Sequence, residues 1–277
     1  GNPDLEPEQA EITNFGFSVA LADFCDNCDL NFGVDYSNFF FEDRITLLRG
    51  PRVVDADFSK FLEAYPQADL ANVSRDDAVA WLNCCANPNI VRGGAPSYTI
   101  VQVNAYYLNA QVMEHTAIDI YADYTWHSDE YGSIRVGIEA THIDEFSYDL
   151  GGGVTGDAVG KQNLGIDVIP TLPEQRAIAT VNWSRENTNL LLRARWNKEV
   201  DAAWTATDID ALTYIDLTYT HRLDGLTGSG SNTVLEIGGR NITDQYPTPL
   251  GAFGASIELA IHDPRGRMFF VRAKHAF

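Results

Sequence analysis

The chain has 277 residues and a net charge of −20, from 39 Asp and Glu against 19 Lys and Arg. A surplus of this sign repels phosphates and argues against nucleic acid as a partner. With 45% apolar residues the chain is no disordered tail, and no run approaches the ~18 apolar residues that mark a transmembrane helix. It begins without Met and shows no leader, so it is expected to be the mature or trimmed part of something longer.

Alternation of period two then recurs along the chain. In 10–21, Phe15, Phe17, Val19 and Leu21 alternate with Gly16, Ser18 and Ala20, and in 30–47, Phe32, Val34 and Tyr36 alternate with Gly33, Asp35 and Ser37. The segment 48–98 breaks the pattern. Phe58, Phe61 and Leu62, then Ala78, Trp81 and Leu82, have helical spacing, and Ser74 stands as a helix start with Asp77 three residues on, so two short helices are expected there.

Alternation resumes in 99–127, where Ile118, Ile120, Ala122, Tyr124 and Trp126 oppose Asp119, Tyr121, Asp123 and Thr125. Ile134, Val136, Ile138 and Ala140 carry it through 131–148. Ala177, Ala179, Val181 and Trp183 carry it through 172–184, with Ile178 as the exception. The remaining segments are 189–200 (Leu190, Leu192, Ala194, Trp196), 209–222 (Ile215, Leu217, Tyr219), 232–243 (Leu235, Ile237, Gly239) and 265–277 (Phe269, Val271, Ala273, His275, Phe277).

These nine strands suit either a β-sandwich with one solvated face or a transmembrane antiparallel up-and-down β-barrel. Full charges deep in the strands (Asp119, Asp123, Arg135, Glu139, Arg193, Arg195, Asp216, Glu236, Arg272, Lys274) and aromatics near strand ends (Trp126, Trp183, Trp196, Phe269, Phe277) favour the all-β barrel, with its polar interior and aromatic girdles. The connections point the same way: short at 22–29, 128–130, 185–188 and 223–231, long at 48–98, 149–171, 201–208 and 244–264. Cys25 and Cys28 lie at a short turn, as a disulfide or as thiols. Cys84 and Cys85 lie in the long loop, where only a vicinal bridge is open to them. The two pairs should therefore sit at opposite membrane faces. No second C-x-x-C completes a zinc site, and neither a metal nor a cofactor is expected.

Four motifs, in order, carry a resemblance. Gly1-Asn-Pro-Asp-Leu-Glu-Pro-Glu8 matches "GNPxLxPE", and Asn109 to Asp119 is similar to "NAxxxxxxGxDxxxxY" with Ala117 in place of Gly. Gly239-Arg-Asn-Ile-Thr-Asp244 matches "xxNLxD", and Asp263-Pro-Arg-Gly-Arg-Met-Phe-Phe270, running to Phe277, matches "YDPRGRxFxxxxxxxF". Together they resemble the C-terminal part of the β-barrel of a TonB-dependent outer-membrane receptor. The resemblance implies the last nine strands of a 22-stranded barrel, with 48–98 as a long extracellular loop and with the plug and the first strands outside this chain. It implies energised uptake of a scarce nutrient (an iron–siderophore chelate, cobalamin, haem, a saccharide or another organic compound) through TonB and its inner-membrane motor. It also makes Phe277 an assembly signal for the barrel-assembly machinery.

No enzyme signature accompanies these motifs. G-x-S-x-G, H-E-x-x-H and the P-loop are absent, the six histidines are scattered, and Gly151 to Gly153 opens no helix. A passive porin or adhesin-like barrel is the alternative. Recognition sites favour Arg and aromatic residues on loops, which nominates Arg49, Arg52, Tyr65, Trp81, Arg92 and Tyr98, with Trp204 and Tyr246, as ligand contacts; packing of the loop's own core is the competing role for Trp81. Acids crowd two of the long connections with their flanks, 143–174 and 198–210. Asp144, Glu145, Asp149, Asp157, Asp167 and Glu174 face Lys161 alone, and Glu199, Asp201, Asp208 and Asp210 face Lys198. Such a rim suits neutral or cationic ligands, solubility, or divalent cations bridging to lipopolysaccharide.

Overall fold

A computed structural model describes residues 2–68, 72–150, 155–163, 169–203, 208–225, 232–250 and 257–276. Phe277, Trp204, Asp167 and the Gly151 to Gly153 run lie outside the described residues. In chain order the elements are β1 (Gln9–Cys25), β2 (Cys28–Leu48), α1 (Gly50–Ala64), α2 (Arg75–Cys84), β3 (Ile90–Arg92), β4 (Ile100–Val103), β5 (Tyr106–Ser128), β6 (Gly132–Asp149), β7 (Thr155–Asp157), β8 (Gln175–Arg185), β9 (Thr188–Asn197), β10 (Leu212–Asp224), β11 (Asn232–Arg240) and β12 (Met268–Ala276).

The nine long strands form one sheet in the order β1-β2-β5-β6-β8-β9-β10-β11-β12, with β7 paired to β6; β3 and β4 make a separate two-stranded sheet. Each long strand pairs with its neighbour in the meander, so the chain turns alternately at the two ends of the strands. Among the described residues the sheet does not close, and β1 and β12 are its edges. The described sheet is therefore an open antiparallel meander of the nine expected long strands.

Several boundaries differ from the alternation, each for a local reason. The 22–29 turn contracts to Asp26 and Asn27, because Asn27 adopts φ 62° and lets the chain reverse at once. A disulfide joins Cys25 to Cys28 across it. The single strand expected over 99–127 is two, β4 and β5, and β4 pairs with β3 inside the long loop. The strand expected to reach 243 stops at Arg240. Asn241 turns with φ 49°, and its side chain brackets Gln245, accepting from that residue's N–H at 2.9 Å and donating to its C=O at 2.8 Å. Gly132 opens β6 at φ 82°, where a Cβ would strike the Ser184 carbonyl, so only glycine fits.

Cross-strand register sorts the side chains. Val136, Val181, Leu192, Leu217, Gly239 and Phe269 are successive partners along one row, and Ile134, Trp183, Leu190, Tyr219, Ile237 and Val271 along the next. These rows are open to the surroundings, with Val271 at 76% exposure. Among the described residues no second sheet pairs with them face to face, as a sandwich would require. The opposite face holds the charges: Arg135 donates to Asp123 at 2.9 Å, Arg195 lies 3.2 Å from Asp216 and Arg272 lies 3.3 Å from Glu236.

By contact the chain divides into two compact units. The first comprises Gly1–Thr13, Asn38–Thr116 and Glu145–Leu172, and the second comprises Asn14–Ser37, Ala117–Asp144 and Pro173–Phe277. The first unit contains the larger core, formed by Leu48, Val53, Ala56, Ile90, Met113, Tyr148, Leu150, Ala158 and Ile169. The second contains a small one of Val200, Ile209 and Leu250.

The two faces should respond differently to charge. In lipid vesicles, Leu217→Arg on the apolar rows is expected to destabilise the intact folded protein by about 2–4 kcal/mol, whereas Thr220→Arg, across from Glu236, is tolerated. The folded fraction by heat-modifiable gel mobility checks this; equal effects would remove the distinction between the two faces.

Candidate functional site

Two places combine shape with polar chemistry. In the first unit, α1 starts after Arg49, which is extended (φ −84°, ψ 161°) and whose C=O accepts from the Val53 N–H at 3.0 Å, with Pro51 in the first turn. The buried stripe of α1 is Val53, Ala56, Asp57 and Phe61. Ser74 caps α2 by accepting from the Asp77 N–H at 3.5 Å, as its sequence context predicts.

The carboxylate of Asp57, 5% exposed, holds these pieces together. It accepts from Trp81 Nε1 at 3.2 Å, from the Asn87 N–H at 2.8 Å and from Arg92 Nη2 at 3.5 Å. Burying a carboxylate requires such partners. Beside it opens an apolar groove of about 400 Å³ lined by Val54, Phe58, Phe61, Trp81, Leu82, Arg92 and Ile100. Phe61 stacks on Tyr65 with centroids 5.0 Å apart and meets Trp81 edge-on at 6.0 Å. The Arg92 Nε is buried there with no hydrogen-bond partner among the described residues. The groove has the make-up of a small-molecule site, mostly apolar with a few placed polar groups.

The structure thus brings Trp81 and Arg92 onto one carboxylate and links Tyr65 to them through Phe61. Trp81 serves the loop's own core and lines the groove as well. Arg52 lies apart, 3.7 Å from Asp55 on the helix surface. Tyr98 sits in the β3–β4 connection with φ 49°. Tyr246 belongs to the second unit, exposed and packed over Gly266. Cys84 is bonded to Cys85 at the end of α2. The one mark of Asp57 in the sequence is the i, i+4 spacing of Val53, Asp57 and Phe61, which puts a carboxylate on an apolar helix stripe.

In the second unit, period-two geometry gathers Asp119, Glu139, Arg176, Arg195, Asn197 and Tyr214 on one face of β5–β10, where they line a concavity of about 820 Å³. The 257–265 segment closes one side of it. Asn197 Nδ2 donates to the Ile261 C=O at 2.9 Å and the Asp263 N–H donates to Tyr214 Oη at 3.3 Å. Arg265 forks onto Asp263 at 2.8 and 2.7 Å and holds its pKa down to about 2, against the opposing effect of burial. Where β8 and β9 meet their connections, Lys198 hydrogen-bonds Glu174, lowering the pKa of the acid and raising that of the base.

His262 stands out in this segment. It is 5% exposed, its ring lies 6.4 Å from that of Tyr214, and neither ring nitrogen has a hydrogen-bond partner among the described residues. Burial pushes its pKa down, with Glu258 and Asp210 pulling the other way. In the sequence it was one of six scattered histidines, and no spacing marked it.

No family model matches the sequence, and no curated protein matches it. Among solved structures, a point mutant of the ferric enterobactin receptor from Pseudomonas aeruginosa is similar, with a TM-score of 0.50 and 12% identity. The alignment covers 96% of this chain and 31% of that receptor, so the chain spans about a third of its length. The likeness is one of fold.

Two outcomes test these sites. Asp57→Ala strands three donors and is expected to weaken the loop by about 3–5 kcal/mol, with Asp57→Asn costing less. Limited proteolysis would then cut between α1 and β3 while the far-UV spectrum stays unchanged; resistance to cleavage would remove Asp57 as the organiser. The second outcome concerns pH. The folded pKa of His262 lies below the ordinary value of about 6.5, so the unfolded ring binds the proton more readily. Packing of 257–263 is therefore full above that value and is lost as pH falls through it toward the folded pKa. Hydrogen exchange at 257–263 should quicken from pH 7.5 to 5 after correction for intrinsic rates, and His262→Phe should abolish the dependence. Asp263 stays ionised throughout that window.

Proposed function

We propose that this chain is the C-terminal portion of a Gram-negative outer-membrane β-barrel, of 22 strands around a plug in the longer protein, that takes up a scarce nutrient with energy delivered through TonB and its inner-membrane motor. The observation that carries the reading is the pair of continuous apolar rows, open to the surroundings and backed by a charged face. In water such rows would drive aggregation, whereas in lipid they are the lowest-energy surface the sheet can offer. The antiparallel meander supports it, as does the fold likeness to a receptor for a ferric chelate. The motifs at Gly1 to Glu8 and Asp263 to Phe270 supply the TonB-dependent part of the proposal.

On this reading the apolar rows contact outer-membrane lipid and lipopolysaccharide, the barrel-assembly machinery reads the segment at Phe277, and the long loop meets the ligand. The groove at Phe58, Trp81 and Arg92 is the contact surface proposed, with Arg49, Arg52, Tyr65, Tyr98, Trp204 and Tyr246 as further loop candidates. The loop's core is shared with Leu48, Met113 and Tyr148 of the strands. Removing the whole loop would therefore bare apolar side chains on the strands, and point changes in the groove are the cleaner probe.

A strain lacking the intact protein is expected to lose growth when one scarce nutrient (chelated iron, cobalamin or a saccharide) is limiting, and loss of TonB should give the same defect. Phe58→Ala should reproduce part of it with normal outer-membrane levels. Open-channel conductance in planar bilayers, together with growth indifferent to TonB, would instead establish a passive porin.

A further inference from the structure

The charged face of the second unit is not uniform. On β5 and β6 it carries Asp119, Asp123 and Glu139 against Arg135. On β8 to β12 it is mainly basic, with Arg193, Arg195, Arg222, Arg240, Arg272 and Lys274 among its cations against Asp216, Asp224 and Glu236. In a chain with 39 acids and 19 bases, arginine outnumbers acid on these strands. Within this basic half lies a concavity of about 590 Å³, lined by Arg193, Arg240, Arg272, Asp216, Glu236 and Phe270 among others.

Its carboxylates are already engaged. Asp216 takes Arg195 at 3.2 and 3.4 Å and the Asn241 N–H at 2.9 Å. Glu236 takes Arg272 at 3.3 Å, and Arg265, which also reaches the concavity, is held by Asp263. Arg193 lies directly across from Asp216 in the β9–β10 register, yet the acid is turned to Arg195. Arg193 and Arg240 have no ion pair and no side-chain hydrogen bond among the described residues. Phe270, on the charged face, lies over Gly238, where an added Cβ would come within 2.5 Å of its ring. It gives the concavity a flat apolar wall.

We propose that this concavity binds an oxyanion, a carboxylate or a phosphate monoester, carried on a small apolar or planar body. Two guanidinium groups with open donor forks hold the oxygens, since each can grip an oxyanion bidentately. Phe270 takes the body, and the volume is that of a small-molecule site. An anion also relieves the repulsion between two cations confined to one concavity. Arg193 also borders a smaller concavity with Asp123 and Glu139, and among the described residues no ion pair joins it to either acid. The inference goes beyond the uptake reading and does not depend on it.

Calorimetric titration of the intact protein in detergent tests it, with phenyl phosphate and inorganic phosphate as probes. Phenyl phosphate should bind saturably and more tightly than inorganic phosphate. Arg193→Gln and Arg240→Gln should each weaken it tenfold or more while heat-modifiable mobility is retained. Arg222→Gln, on the same face of β10 but outside the concavity, should leave it unchanged. Equal weakening by Arg222→Gln would mean diffuse attraction and overturn the proposal. So would the absence of saturable binding to the unaltered protein, which is the result expected if an acidic protein segment fills the concavity. These outcomes are independent of any growth or transport phenotype.

Discussion

Register is the constraint on which this molecule rests. Side chains alternate with a period of two, so a slip of one residue in any strand pair would carry Val181, Leu192 and Leu217 to the charged face and Arg193 and Asp216 to the apolar one. The cost of such a slip rises with every strand added, because each row continues through its neighbours. Lateral hydrogen bonding supplies the second half of the constraint. On the proposed membrane reading, a strand facing lipid has no water to satisfy its amides, and only its neighbours can do so. Apolar rows and paired backbones are therefore aspects of one solution, and the ion pairs of the other face fit themselves to the register.

Burial follows an unusual distribution as a result. Only the ends of β2, β5 and β6, at Leu48, Met113 and Tyr148, share a core, and the rest of the sheet lies on none among the described residues. Its apolar side chains point outward, and the tightly packed side chains collect where the chain leaves the sheet, around Val53, Ala56 and Ile90 in one unit and Val200 and Ile209 in the other. Each connection must organise itself with few apolar residues, and polar organisers take on an uncommon share of the work. Asp57 ties two helices and a short strand together, Asn241 turns β11 into its loop, and the Asp263–Arg265 fork shapes the approach to β12. These are the positions where a small electrostatic change reshapes a surface without touching the sheet.

The alternation made the nine long strands legible because one rule governs both faces of every one of them. Ile178, the exception in the pattern, sits on the charged face across from Glu139 and Arg195, as its parity requires. Strand ends were less legible. The sequence pattern ran on past Arg240 while the backbone turned at Asn241, and a positive φ leaves no mark in hydropathy. Strands β3, β4 and β7 are too short to display a period, and they exist because partners lie alongside them. The candidate sites were legible in part. Trp81 and Arg92 stand out as loop residues suited to recognition, but the carboxylate that unites them is marked only by its place on a helix stripe. His262 is buried by contacts distant in sequence, which no local spacing encodes.

The cysteines have a consequence for how such a chain matures. Each of the four is bonded to a partner three residues or one residue away. Both bridges close within one short piece of chain, the first across Asp26 and Asn27 and the second between neighbours at the end of α2. Neither ties together segments distant in sequence, so oxidation leaves the pairing of distant strands without a covalent constraint.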